Sequence, residues 1–366
     1  MSVAMPSEID PRWASAPGVT IKKVLDSRGL SAEDLAEALD ISDPEARRVL
    51  MGARPITPAI ATALAGLLGS TRQFWLTRES QYRESLSWLA ADELVERSPV
   101  RAMERDGWID RSDGWKDQAK ALLDFYGVRD AAEWRAIWGP RLAETRFRTS
   151  VAFESSELAV AAWLRRVELD AFELDVADWS PSLLWAALPR LRALSKVRDP
   201  RSFIPVLERL LGAAGVAVVV IRAMDGNRLS GAASVLADGR RAIGLTARHL
   251  SDDHFWFTLF HEIGHLLLHD GGGDFLDDFD EVADDSQLEG QANEFARDAL
   301  IPGGVGDLLG RRAAGPTMRQ VVSFASRLGV APGIVVGRLH YDGVLKYNQL
   351  RTLIRGYKWD GSTLRT

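Results

Sequence analysis

The chain has 366 residues, 46% hydrophobic and 26% charged, a formal net charge of −6 and no cysteine. Without thiols, disulfides and thiolate metal sites are excluded, so any metal must be held by His, Asp or Glu. The acidic balance excludes binding of a polyanion over the whole surface and leaves only local basic patches for nucleic acid. The composition is that of a globular, soluble protein, and no apolar run reaches the roughly 18 residues a bilayer span needs. The length is too great for one ordinary core, so two or three domains are expected. The N-terminus, "MSVAMPSEIDPRW", lacks the basic and then apolar run of a signal peptide, and a cytoplasmic placement is expected.

Three parts follow one another. In residues 1–80, "GLSAEDLAEALDISDPEARRVL" holds two short amphipathic helices. Leu35, Ala36 and Leu39 share a face of the first, with Ser31 as N-cap and Asp34 completing a capping box. A turn at Asp40–Ser42 precedes a second helix beginning at Asp43 or Pro44, where proline costs nothing at the first position. "ARPITPAIATALAGLLGSTRQFWL" gives one more helix, capped by Thr57. Residues 81–200 are helical in pattern, for example "AAWLRRVELDAF" and "PSLLWAALPRLRALS", and their tryptophans are expected in helix packing. In residues 201–366, "GVAVVVI" (215–221) is a buried strand and "SVLADGRRAIGLT" (234–246) a hairpin turning at Asp238-Gly239. The strand near 240–246 is expected to be free to hold an extended peptide by edge pairing. A long apolar helix follows, then a Gly- and Asp-rich stretch, 270–286, expected as a solvated loop or lid.

The chemistry lies in that apolar helix, "FWFTLFHEIGHLLLHD" (255–270). His261 and His265 are four apart, on one helix face and about 6 Å apart along the axis, so both can reach one ion. Glu262 is offset by about 100°, placed as a base for water rather than as a ligand. His254 and His269 lie about 10–12 Å along the axis from His261 at 1.5 Å per residue, too far to share an ion with both motif histidines. The apolar residues around the motif bury the helix, and buried titratable groups need partners. A hydrolytic zinc needs a third protein ligand and an open position. In "SQLEGQANEFARDALIP" (286–302), Glu289 falls on the apolar face defined by Leu288, Ala292, Phe295, Ala296, Ala299 and Leu300. It is the expected third ligand, with Asn293 one turn on as a group orienting it or a motif histidine. Zinc, Zn2+, suits two histidines and a glutamate better than manganese or iron does.

"HEIGH" followed by "EGQANEFARDALIP" resembles the ImmA/IrrE metallopeptidases, a gluzincin-like group. The segment "GLSAEDLAEAL…RPITPAIATALAGLLGSTRQFWL" resembles a Cro/repressor-type helix-turn-helix of the HigA-antitoxin variant. The ending "IVVGRLHYDGVLKYNQLRTLIRGYKW" is similar to the tail of longer members. The resemblance implies zinc bound by His261, His265 and Glu289 with Glu262 as base, and a regulatory protein, a repressor or transcription factor, as substrate. The implied fold class is α+β and mostly helical. It has an N-terminal helix-turn-helix bundle (1–80), a helical connector (81–200) and a C-terminal zincin-like metallopeptidase domain with a small β-sheet (201–366). His340 and Tyr341, in the C-terminal stretch, are candidates to stabilise the oxyanion. The reading helix departs from the usual pattern. Asp43 and Glu45 would face the phosphates, opposed only by Arg47, Arg48 and Arg54, the candidate DNA-binding residues. The other reading of this module is dimerisation or partner docking. Expected partners are thus a protein substrate, DNA through the helix-turn-helix and a second copy of the chain, with no membrane. A non-catalytic DNA-binding regulator or antitoxin with a structural or sensory zinc site is the alternative function.

Overall fold

The structure, a computed structural model, describes residues 12–146, 157–269, 275–277, 287–309 and 315–366. The chain divides into two compact units, Met1–Glu96 with Asp110–Trp134, and Arg97–Ile109 with Arg135–Thr366. Both are dominated by helices, with a four-stranded sheet and a two-stranded one in the second. Among the described residues no single helix is long and apolar enough to cross a membrane.

The first unit opens with α1 (Pro17–Arg28), α2 (Ala32–Leu39), α3 (Asp43–Leu50), α4 (Pro58–Leu68) and α5 (Arg72–Arg97). The capping chemistry sets the boundaries. Ser31 Oγ accepts from the Asp34 N–H at 3.1 Å while Asp34 accepts from the Ser31 N–H at 2.7 Å, satisfying two donors that the first turn of a helix leaves free. Asp40 turns the chain at φ 51, and Thr57 caps α4 with Pro58 in its first position. Leu35, Ala36 and Leu39 meet Val49, Leu64 and Trp75 in the core. Two features go beyond the sequence reading. Helix α1 adds Ile21 and Leu25 to that core, and the stretch after Thr57 is two helices rather than one. Gly69 at φ 80 and Ser70 at φ 67 interrupt it, and Thr71 Oγ1 restarts it by accepting from the Phe74 N–H at 3.1 Å.

The middle is helical as expected: α6 (Val100–Arg105), α7 (Trp115–Tyr126), α8 (Ala131–Arg146), α9 (Glu157–Glu173) and α10 (Pro181–Leu194). Trp138 and Trp163 are fully buried, whereas Trp185 is half exposed with its ring edge-on to Phe295. Next come α11 (Pro200–Gly212), β1 (Val216–Val220), β2 (Gly231–Val235), β3 (Arg241–Leu245), α12 (Asp252–Leu268), β4 (Phe275–Asp277) and α13 (Gln287–Leu300). The chain closes with α14 (Gly306–Leu309), α15 (Met318–Leu328), α16 (Pro332–Tyr341), β5 (Lys358–Asp360) and β6 (Thr363–Arg365).

The main sheet has the order β1-β3-β2-β4. β2 and β3 form the expected hairpin, with Gly239 at φ 86 in its turn. β3 is not free to pair with a peptide, contrary to the expectation for 240–246. It is parallel to β1 on one side and antiparallel to β2 on the other, so both of its edges are taken. β4 lies in the stretch expected to be a loop and extends the sheet by pairing with Gly231–Ala233. The rest of 270–286 lies outside the described residues. Trp163 of α9 packs against Gly244 on β3, and its indole N–H donates to Ile221 O at 3.3 Å.

Helix α12 is buried along most of its length. Its start is tied to the C-terminal segment. The Asp252 N–H donates to Arg355 O and Asp252 Oδ1 accepts from the Arg355 N–H, both at 2.9 Å. Asp252 is fully buried against Gly333 of α16. Farther along, α13 lies close against α12. A Cβ on Gly264 would sit 3.0 Å from Phe295 Cδ1 and 3.3 Å from Ala292 Cα, so glycine there sets the spacing of the two helices.

Two outcomes follow. Gly264→Val should push α13 away and lower stability by roughly 1–3 kcal/mol, the usual range for overpacking, which urea unfolding measures. Burial pushes the Asp252 carboxyl up to about 6, against the Arg355 N–H, with Asp253 adding to the rise. The folded state therefore holds this proton more tightly than the unfolded chain. The stability it contributes is full below about pH 4, the ordinary Asp range, and is lost as pH rises to about 6, roughly 3 kcal/mol in all at 1.4 kcal/mol per unit. Asp252→Asn should thus gain on the wild type between pH 4 and 6 and hold a level advantage above, read from paired unfolding curves across that range.

Candidate metal centre

The packed α12–α13 pair brings together side chains 28 positions apart in sequence. His261 Nε2 lies 3.1 Å from Glu289 Oε2, His265 Nε2 lies 3.5 Å from the same oxygen, and the two Nε2 atoms are 2.9 Å apart. Among the described residues these three form the one cluster with three converging ligand atoms, all within 4.8 Å of one another. Ligand atoms around one tetrahedral zinc, each about 2.0–2.1 Å from it, stand about 3.3 Å apart, and the three distances straddle that value. The donor set of two imidazoles and a carboxylate is also one that zinc accepts, so the residues present fit the ion.

The electrostatics agree. Burial pushes the His265 imidazole down to about 4, with Glu289 opposing and His261 adding to the fall. At neutral pH it is uncharged and offers a lone pair. For Glu289, burial acts to raise the carboxyl, but hydrogen bonds and charge from His261 and His265 outweigh it and hold the group well below the usual carboxylate range. Glu289 is therefore ionised. Its side chain is 22% exposed, while both histidines are buried.

The outer nitrogens are also engaged. His261 Nδ1 lies 3.1 Å from Asn293 Oδ1. Glu262 is fully buried, and its carboxylate lies against the first residue of β2, where a Cβ on Gly231 would come within 2.6 Å of Oε1. By spacing alone, His269 stands too far along the helix to share the ion. The structure gives it a different place, with its Nδ1 3.1 Å from His265 Nδ1 and its Nε2 3.0 Å from Gln291 Oε1. The 261-265-269 spacing is visible in sequence, whereas Gln291 enters only through helix packing. His254 stacks on His249 at 4.3 Å and bonds to Ser251 and Asp253.

The oxyanion candidates are not among the groups that touch the cluster. His340 is buried and donates its Nε2–H to Gln349 O at 2.8 Å, which holds the turn after α16. Tyr341 is exposed and accepts from Arg297 Nη1 at 3.3 Å. In the other unit, Arg47 and Arg48 are exposed on α3. Arg54 instead pairs with Glu45 at 2.5 Å, and Glu45 also closes a capping box with Ser42.

Comparison with known proteins agrees with this division. A family model described as the IrrE N-terminal-like domain (Peptidase_M78) matches residues 214–340, and a helix-turn-helix model matches residues 21–75. The chain is similar to the uncharacterized HTH-type transcriptional regulator YddM of Escherichia coli (strain K12), with 31% identity over 87 residues, 24% of this chain and 88% of that protein. Residues 214–340 hold β1 through nearly all of α16 and with them the whole His-His-Glu cluster, and residues 21–75 hold the capped α2–α3 pair. Residues 214–340 thus match the IrrE-like peptidase domain, and they are joined in this chain to a helix-turn-helix domain of the transcriptional-regulator type.

Proposed function

We propose that the protein is a zinc-dependent endopeptidase that cleaves a regulatory protein, a repressor or transcription factor, and so controls a stress, phage or mobile-element response. The observation that carries this reading is the convergence of His261, His265 and Glu289 beside the buried Glu262, on a domain of a peptidase family. When bound there, zinc supplies a Lewis acid for the scissile carbonyl and acidifies water. His261, His265 and Glu289 hold the ion, and Asn293 fixes the ring of His261. Glu262 takes the proton of the attacking water and passes it to the leaving amine, so the proton count closes over one turnover. His340 and Tyr341 stay as oxyanion candidates only through movement of the C-terminal segment, because Gln349 and Arg297 engage them here.

A second reading, a DNA-binding regulator whose zinc site is structural or sensory, is favoured by the helix-turn-helix and by the likeness to YddM. The two are compatible: DNA binding would place the peptidase beside a DNA-bound substrate. The surface for it is Arg47 and Arg48 of α3, while Arg54, held by Glu45, serves the fold first.

Glu262→Gln should keep the metal and lower cleavage by roughly 10²–10⁴-fold, the usual contribution of a general base. Sequencing of new protein N-termini in a lysate treated with wild type or variant measures this; equal patterns from both would remove the mechanism. Titration against the DNA upstream of the protein's own gene should show sequence-specific binding. Arg47→Ala with Arg48→Ala should weaken it and flatten the dependence of log K on log salt by about one unit for each phosphate no longer neutralised. Binding without sequence preference would leave the module as a docking or dimerisation domain.

A further inference from the structure

With a metal held at Nε2 of His261 and His265, the protons of the histidine cluster follow from the geometry. A histidine nitrogen that ligates a metal carries no proton, and the neutral ring then carries its proton on the other nitrogen. With Nε2 of His265 turned to His261 and Glu289, its N–H is on Nδ1, which lies 3.1 Å from His269 Nδ1. Two ring nitrogens can share a hydrogen bond only when one has the proton and the other does not. His269 Nδ1 is therefore the acceptor, and the His269 proton is on Nε2, 3.0 Å from Gln291 Oε1, an oxygen that can only accept. The chain of donors runs one way, from His265 to His269 to Gln291, and each step requires the one before it. The other ligand obeys the same logic, since His261 Nδ1 faces Asn293 Oδ1 at 3.1 Å.

We infer that His269 is a positioning residue of the metal centre, which fixes the tautomer and ring plane of His265 and is itself fixed by Gln291. The inference rests on the zinc reading of the cluster and adds a part to it. The i, i+4, i+8 series 261-265-269 then has two roles: the first two rings bind the ion, and the third holds the second. Both ligand rings are anchored from α13, one directly by Asn293 and one through His269 by Gln291. Gln291 is exposed while His265 is buried, so the relay carries an orientation from the surface to the ion.

The test is the zinc dissociation constant at fixed pH, measured by competition with a chromophoric chelator. The d–d spectrum of the cobalt-loaded protein and circular dichroism are recorded beside it. His269→Phe keeps a ring but has no acceptor, and should weaken zinc binding by roughly 10–100-fold and alter the cobalt spectrum. His269→Asn returns an acceptor oxygen near the place of Nδ1 and should recover most of the loss. Gln291→Leu, on the exposed side, should give a smaller weakening in the same direction and serves if His269→Phe does not fold. Zinc affinity and cobalt spectra equal to wild type in both His269→Phe and Gln291→Leu would overturn the relay. Equal weakening in His269→Phe and His269→Asn would overturn it too, since it would show packing rather than an acceptor. Glu289→Ala keeps the two failures apart. A wild type that binds no zinc, or a Glu289→Ala variant that binds it as well as wild type, removes the zinc reading itself.

Discussion

The site depends on how closely two helices approach. Gly264 lets the backbone of Ala292 and the ring of Phe295 on α13 come right up to α12, into space that a side chain would fill. At that spacing a carboxylate from one helix can meet two imidazoles from the other. A buried carboxylate or imidazole is costly alone. Here each is the other's partner, and the same three atoms that satisfy one another are placed to hold a cation. Helix packing, charge compensation and ligand geometry are therefore one constraint. The apolar residues around the motif matter because they make the helix core, where the alternative of solvating these groups with water is lost.

What could be read from the sequence was what is local. The pairing of His261 with His265 follows from helical periodicity alone, and Glu289 from its place on an apolar helix face. Capping residues set the starts of α2, α3 and α4 for the same reason, because each cap acts within four residues. What could not be read was non-local. The pairing of β3 on both edges depends on strands from three places in the chain, and β4 is held by pairing with β2 rather than by its own residues. Spacing puts His269 too far from the ion, and its approach to the outer nitrogen of His265 needs a ring orientation that spacing does not supply. His340 reads as available in sequence because Gln349, nine residues on, folds back onto it only in three dimensions.

The helix-turn-helix shows how a local rule can look like a functional signal. In sequence, the acidic start of α3 reads as opposing DNA. In the structure Glu45 closes the capping box with Ser42 and binds Arg54. Acidic residues in the first turn of a helix are favourable there for their own reasons, through the free N–H groups and the helix dipole. Their presence thus reports on helix initiation, and the arginines left exposed, Arg47 and Arg48, are the better gauge of what the module can touch.

The packing of Trp163 on Gly244 and the pairing of Asp252 with Arg355 both cross the borders of the segment that matches the peptidase family. The unit that folds is larger than the unit that is recognised. A shuffling event, or an expression clone, that cut the chain at the edges of the match would strip the indole from one face of β3 and leave the carboxylate at the head of α12 without its backbone partner. Heredity in this architecture is therefore modular at the level of the motif but not of the module: α9 on one side and the segment carrying Arg355 on the other must travel with it.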